Sequence, residues 1–404
     1  MDEYLRLLDG LTIPNDTKII FFIIDGMGGL PVEPGGKTEM EAARLPNLDA
    51  LAAQSACGLL EPIGPGISPG SGPGHFALFG YNPIKTVVGR GRLEAAGIGL
   101  EMTEKDVAVR INFCTLDSQG NIIDRRAGRL ATEVNASLCS KLREQVRMPD
   151  GVQLIIEPVK EHRAAMILRG EGLDGDVEDT DPQKTGVPPL DPVSRSPEAE
   201  NTAALAKDFL SQARTILADE RPANMLLLRG FDKYTPIPSM QERFGLRCLA
   251  IASYPMYKGL AGLVGMKVLE GLESLESQFE ALKANYNDYD FFFFHAKAAD
   301  ARGEDGDFQG KVEALEEIDA YAGKAAELNP DVLVVTGDHS TPAFMKKHSF
   351  HHVPVLLRSR YARVDNVKNF DEKSCITGSI GMMRTAYLMG LVLAHSGRIA
   401  KYGA

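Results

Sequence analysis

Short, continuous apolar runs mark both ends of the chain. Lys18 to Ile24 (KIIFFII), Asp290 to His295 (DFFFFH) and the β-branched run Val332 to Val335 have no polar face. Runs of this length without alternation predict strands buried on both sides, as in a parallel sheet covered by helices. Asn224 to Arg229 and Leu246 to Ser253 read as further strands. Apolar residues at helical spacing predict helices over Pro46 to Gln54, Ala203 to Leu217, Leu260 to Leu269, Ser274 to Tyr286 and Lys311 to Leu328. From Leu246 onward strands and helices alternate, which predicts a parallel sheet with helices on both faces.

The middle of the chain follows another pattern. Asp106 to Phe113 (DVAVRINF) alternates, as a strand with one buried face does. A turn at Ser118-Gln-Gly leads into Asn121 to Arg129, and Val152 to Glu157 and Ala164 to Arg169 continue a meander. Leu173 to Ser196 is acidic and proline-rich and predicts a long surface loop. An α+β stretch inside an α/β chain predicts one domain built from both termini, residues 1–90 and 236–404. It is interrupted by an inserted domain, residues 91–235.

Composition narrows the function classes. The chain has 404 residues, 44% hydrophobic and 25% charged, with a net charge of −11. That balance fits a two-domain globular protein and argues against nucleic-acid or anionic-membrane partners. Its five cysteines, Cys57, Cys114, Cys139, Cys248 and Cys375, are scattered, with no C-x-x-C pair. They predict buried thiols in a reducing compartment. With no apolar leader at the N-terminus, the cytoplasm is the expected location.

Candidate chemistry collects where the apolar runs stop. Val332 to Val335 leads into Gly337, Asp338, His339, Ser340 and Thr341, and this segment holds four of the eight histidines, His339, His348, His351 and His352. Carboxylate and imidazole together suit a divalent metal at the carboxyl end of a parallel strand. Ile24 leads into Asp25 and a glycine-rich turn, and His295 into Lys297, Asp300, Glu304, Asp305 and Asp307. The loop Gly64 to His75 is dense in Gly and Pro. It places Ser71 on the N-terminal side of a short helix containing Ala77, Leu78 and Phe79, a setting that favours a phosphate. Arginines, suited to bidentate grip on phosphate and carboxylate, become frequent from Arg90 onward.

Four stretches, IIDGMGG, PGSGPGH, HAKAAD and TGDHSTP followed by His348, together resemble the archaeal type of cofactor-independent phosphoglycerate mutase, a branch of the alkaline phosphatase superfamily. GRGRLEA, DRRAGR, LRGEGL and the closing KYGA extend the resemblance along nearly the whole chain. It implies an α/β fold with an alkaline-phosphatase-like, mostly parallel sheet flanked by helices, and a smaller inserted α+β substrate-binding domain. It implies interconversion of 3-phosphoglycerate and 2-phosphoglycerate through a phosphoserine at Ser71, without 2,3-bisphosphoglycerate. One divalent ion is expected at Asp25, Ser71, Asp338 and His339, and a second at Asp300, His348 and position 304. Lys258 is expected beside the phosphate. Arg229, Arg110, Arg126 and Arg163 are expected to hold substrate. The resemblance assigns no oligomeric state.

Two departures stand out. Position 304 is Glu where the family pattern has His, which makes that site harder and favours manganese or magnesium over zinc or cobalt. The nucleophile loop reads Ser-Gly-Pro-Gly-His rather than Ser-Asp-Thr-Ala-His, which bears on substrate preference. The competing expectation is a metal-dependent phosphatase or phosphotransferase of the same superfamily acting on another small phosphorylated hydroxy compound.

Overall fold

The computed structural model describes residues 1–403; Ala404, the last residue of the KYGA motif, lies outside them. Among the described residues the strands are, in chain order, β1 (Ile19–Ile24), β2 (Ala56–Glu61), β3 (Asp106–Leu116), β4 (Ile122–Asp124), β5 (Gln153–Lys160), β6 (Arg163–Arg169), β7 (Met225–Lys233), β8 (Cys248–Ile251), β9 (Lys267–Val268), β10 (Phe291–Ala296), β11 (Val332–Thr336), β12 (Val353–Ser359) and β13 (Gly381–Arg384). They form two sheets, each within its own compact unit. One unit joins Met1–Val87 to the chain from Ile237 onward, and the other is Val88–Pro236.

The first unit holds a mostly parallel sheet in the order β13-β2-β12-β11-β1-β10-β8-β9. β1 runs parallel to both β10 and β11, and β12 is antiparallel to β11 and β2. β1, β10 and β11 are buried at every position. Their side chains go alternately to the two faces. Phe22 stacks on Phe294 at 4.7 Å on the face covered by helices Pro46–Ala52, Leu275–Ala284 and Phe308–Glu327. On the other face Phe293 meets Phe79 and His75. Apolar demand on both faces explains why these strands carry no alternation. Because β1, β10 and β11 are adjacent and parallel, their carboxyl ends deliver Asp25, Lys297 and Asp338 to one rim of the sheet.

The second unit is antiparallel α+β, centred on β3. β3 pairs with β6 on one side, with β7 on the other and with β4 near its end, and β6 pairs with β5. Helices Thr132–Gln145 and Glu200–Ile216 cover one face through Leu138, Leu142, Ala206 and Phe209. Helix Arg90–Gly97 lies on the other, where Ala95 packs with Ala108, Ala165 and Ile167.

Three expectations change. The helix expected over Leu260 to Leu269 is shifted to Pro255–Leu263, and Lys267–Val268 is the short edge strand β9. Proline explains the earlier start, since Pro255 sits in the first turn where no N–H is needed, and Gly265 at φ +79° turns the chain away. The helix after the glycine loop starts at Ser71 itself and runs to Leu78, because Pro73 also falls in the first turn. The segment Leu173 to Ser196 is more than a surface loop. Thr180 is buried, its N–H donates to the Leu228 carbonyl at 2.9 Å, and its hydroxyl accepts from the Leu228 N–H at 2.8 Å, so it satisfies the outer edge of β7. Among the described residues no helix is long and apolar enough to cross a membrane. All five cysteines are free and buried.

Candidate active site

The three parallel strand ends converge on His339. Its Nε2 lies 3.2 Å from Ser71 Oγ, 3.1 Å from Asp338 Oδ2 and 3.5 Å from Asp25 Oδ1. Its Nδ1 lies 3.0 Å from Thr341 Oγ1, and that hydroxyl donates to Asp300 Oδ1 at 2.6 Å. A hydroxyl has one proton to give, and Thr341 gives it to Asp300. Thr341 therefore accepts from Nδ1–H of His339, so Nε2, which faces Ser71 and the two carboxylates, is the nitrogen open to a cation when the imidazole is neutral. The ligand atoms of Asp25, Asp338 and His339 lie within 4.8 Å of one another, a donor set that suits a divalent cation. Asp25 Oδ1 is fully buried and has no hydrogen-bond partner, a costly arrangement that such a cation would relieve.

The electrostatics agree. Burial, then the neighbouring Asp338 charge, pushes the Asp25 carboxyl up to about 7. Burial also opposes the charge on Asp338, but His339 and His75, when protonated in the cation-free site, outweigh it and hold that carboxyl well below the ordinary range. Glycine makes the approach of these loops feasible. A Cβ on Gly74 would lie 2.6 Å from the Asp338 carbonyl, and one on Gly26, at φ +63°, 2.7 Å from Thr341 Oγ1. Helix Ser71–Leu78 can press against the loop after β11 only because position 74 is bare. His75 Nδ1 then reaches the Ser71 carbonyl at 2.8 Å, with Asp338 Oδ2 3.3 Å away. The buried ammonium of Lys311 ties the loops after β1 and β11 together, donating to the carbonyls of Gly28 at 2.9 Å and Thr341 at 2.8 Å.

A second group, Asp300, His339 and His348, adjoins the first and shares His339 with it. His348 stacks on His339 with ring centroids 3.6 Å apart. Its Nδ1 lies 2.9 Å from the Pro69 carbonyl, which can only accept, so Nε2 faces Asp300 Oδ1 at 3.7 Å and Glu304 Oε1 at 3.6 Å. Burial opposes a charge on His348, but Glu304, the Pro69 carbonyl and Asp300 raise it to about 9. Asp300 and Glu304 lie on one helix, Ala298–Asp305, four residues apart and therefore on one face.

Tyr257 and Lys297 complete the cluster; the sequence marks Lys297 only as one of the charged residues after an apolar run, and does not mark Tyr257. The Tyr257 hydroxyl donates to Ser71 Oγ at 3.4 Å, and Lys297 Nζ donates to the Tyr257 oxygen at 3.1 Å. Lys258, expected beside the phosphate, donates instead to Glu270 at 2.6 Å. Successive helical residues point about 100° apart, so turning Tyr257 toward Ser71 turns Lys258 away.

A protein of Thermus thermophilus, described as a probable 2,3-bisphosphoglycerate-independent phosphoglycerate mutase, is 52% identical over 405 residues, covering 100% of both chains. The chain belongs to the 2,3-bisphosphoglycerate-independent phosphoglycerate mutase family. The profile of that family matches residues 52–224. The solved structure of a Pyrococcus horikoshii protein superposes with a TM-score of 0.83 at 27% identity, covering 97% of this chain and 100% of that one. The cofactor-independent phosphoglycerate mutase of Thermoplasma acidophilum superposes with a TM-score of 0.69 at 28% identity, covering 94% and 100%. The family's enzymes are isomerases, intramolecular phosphotransferases that need no 2,3-bisphosphoglycerate.

In this member of the mutase family the second unit carries its own charged cluster. Arg110 on β3 and Arg229 on β7 are directly opposed in register, and Arg163 on β6 pairs with Asn112, two residues along β3 from Arg110. Like charges opposed across strands are destabilising unless an anion lies between them. Glu94 partly supplies one, 3.4 Å from Arg110 and 3.2 Å from Arg163, and Asp181 lies 3.3 Å from Arg229. Burial, with Arg163, Arg229 and Arg90 nearby, brings the Arg110 guanidinium down to about 10 despite Glu94. His162 is brought down to about 4 by burial and by Arg163, Arg110, Arg126 and Arg129. Arg126 is exposed, and its backbone N–H donates to Asp124 Oδ1 at 2.8 Å. The local excess of guanidinium charge is what an anionic small molecule would neutralise.

Proposed function

We propose that this chain interconverts 3-phosphoglycerate and 2-phosphoglycerate by passing the phosphoryl group through Ser71. The observation that carries this is the hydroxyl of Ser71 at the first turn of a helix, 3.2 Å from His339 Nε2 and inside the Asp25, Asp338 and His339 cluster. Ser71 Oγ attacks phosphorus and gives up its proton, the bond from phosphorus to the 3-oxygen breaks, and that oxygen takes up a proton. Reoriented glycerate then attacks with its 2-hydroxyl, the bond from phosphorus to Ser71 breaks, and the serine hydroxyl is restored. No water and no second phosphoryl donor enter the balance. Tyr257 and the N–H groups of the helix's first turn are placed to hold the phosphoryl oxygens.

Asp25, Ser71, Asp338 and His339 would hold one divalent ion, and Asp300, His348 and Glu304 a second. Such ions favour a serine alkoxide and neutralise charge on the phosphoryl group. With Glu304 in the set, manganese or magnesium suits the second position better than zinc. Glu304→Ala is expected to weaken binding of one manganese ion about tenfold while leaving the other unchanged. Titration calorimetry checks this, and identical isotherms for wild type and variant would remove Glu304 from the ligand set.

The second unit acts in this reading as the inserted substrate-binding domain, with Arg110, Arg163 and Arg229 on glycerate's carboxylate or phosphate. Five buried thiols and a small anionic metabolite fit a cytoplasmic enzyme. One experiment tests the whole reading: manganese-loaded protein given 3-phosphoglycerate, with 2-phosphoglycerate and free phosphate both followed. Isomer without phosphate release is expected. Phosphate release without isomer would make the chain a phosphatase. In the same assay Arg229→Ala is expected to raise KM about 10- to 100-fold, the loss of a charge-assisted hydrogen-bonding group. It should also raise the ratio of phosphate to isomer, because loosely held glycerate leaves Ser71 open to water. An unchanged KM and ratio would show that Arg229 does not grip substrate.

A further inference from the structure

Lys297 stands at the junction of the two candidate cation groups, where its ammonium donates two hydrogen bonds and forms an ion pair with Asp25. Nζ lies 3.0 Å from Asp25 Oδ2, donates to Asp300 Oδ2, and donates to the Tyr257 hydroxyl at 3.1 Å. Asp25 belongs to one cation group and Asp300 to the other. The lysine follows β10 directly and precedes helix Ala298–Asp305, so its backbone is fixed by the central sheet while its ammonium sits on a stem of rotatable bonds. Its side chain is one-quarter exposed, enough to leave the carboxylates without unfolding anything.

We propose that Lys297 is a tethered counter-cation that occupies the carboxylates of Asp25 and Asp300 until divalent metal displaces it, so that metal affinity is set in competition with the protein's own ammonium. The inference rests on the metal reading above and adds a residue to it. The physical case is charge. Asp25, Asp300 and Asp338 crowd one buried rim, and three carboxylates without a cation would repel one another. An ammonium on a flexible stem offers a single charge that can withdraw, whereas a fixed guanidinium would grip a carboxylate bidentately and obstruct the site. A divalent ion brings twice the charge to the same oxygens and leaves Lys297 beside Tyr257, whose hydroxyl reaches Ser71 Oγ at 3.4 Å. A lysine that merely braced the ligands would have the opposite effect on metal binding, because removing a brace loosens the site.

The test is manganese binding to chelator-stripped protein by titration calorimetry, at fixed pH and ionic strength, for wild type, Lys297→Met and Lys297→Arg. Methionine keeps the length and loses the charge. Lys297→Met is expected to bind manganese at least about tenfold more tightly than wild type, since the competing cation is gone. Lys297→Arg, which keeps a competing charge, is expected not to tighten binding. In chelator the methionine variant should melt below wild type, and with saturating manganese the two should melt together. Lys297→Gln serves if the methionine variant does not fold. Equal or weaker manganese binding by the neutral variants overturns the proposal while leaving the metal site standing. No manganese binding by any of the proteins overturns the metal reading and the proposal with it.

Discussion

Ser71→Ala is expected to lower mutase turnover by at least about a thousandfold while the protein folds as before. The hydroxyl is the only part of Ser71 that reaches His339 and Tyr257. The carbonyl of Ser71, which holds His75 at 2.8 Å, is backbone and stays in place. Alanine is a good helix former at the first position of Ser71–Leu78, so thermal melting should shift little. Metal affinity should fall only modestly, since Asp25, Asp338 and His339 remain. Mass spectrometry of acid-quenched reactions should find phosphate on Ser71 of the wild type and none on the variant. A variant retaining more than about a tenth of the wild-type rate would exclude Ser71 as the phosphoryl acceptor.

Much of this site can be read from the chain because it hangs on strands that are themselves easy to read. β1, β10 and β11 are apolar on both faces, so they show as uninterrupted runs, and the polar residues just beyond each run are the ones brought to the rim. Asp25, Asp300, Asp338 and His339 come out of that pattern together. Neighbouring elements are harder. β12 lies between β11 and β2, yet it contains Pro354, a residue that argues against an interior strand. Helix Arg90–Gly97 hides behind two glycines. A Cβ on Gly91 would sit 2.4 Å from the Ala108 carbonyl, so its composition answers to close packing on β3 rather than to helix propensity.

Residues that depend on tertiary direction are not legible in this way. Tyr257 and Lys258 are adjacent, and only the rotation of helix Pro255–Leu263 decides that the tyrosine meets Ser71 while the lysine pairs with Glu270. Thr341 looks like an ordinary loop threonine until its single proton is traced to Asp300, which settles the tautomer of His339. The opposed arginines of β3 and β7 lie far apart in the chain, and only strand register shows that their charges face each other.

Asp25→Asn should separate what this site does for function from what it costs the fold. In the metal-free protein Asp25 is fully buried, and burial together with the charges of Asp338 and Asp300 raises its carboxyl from 3.8 to about 7 despite Lys297. Between those values the folded state holds a proton that the unfolded state has released. Stability therefore falls as pH rises from about 4 to about 7 and stays reduced above it. At about 1.4 kcal/mol per pH unit, the interval is worth on the order of 4 kcal/mol. Asparagine has nearly the same shape and cannot ionise. In chelator, the variant's stability relative to wild type is expected to climb across that interval, leaving it the more stable protein at pH 8. Manganese affinity should fall at least about a hundredfold, because one of the two carboxylates in that donor set loses its charge, and turnover should fall at least about a thousandfold. Urea unfolding at pH 4 and pH 8, with and without manganese, checks both halves. A stability difference between the two proteins that stays constant with pH would show that Asp25 is not buried as a strained carboxylate. The opposite signs of the two effects follow from one cause: a carboxylate placed to bind metal is a liability to the fold until the metal arrives.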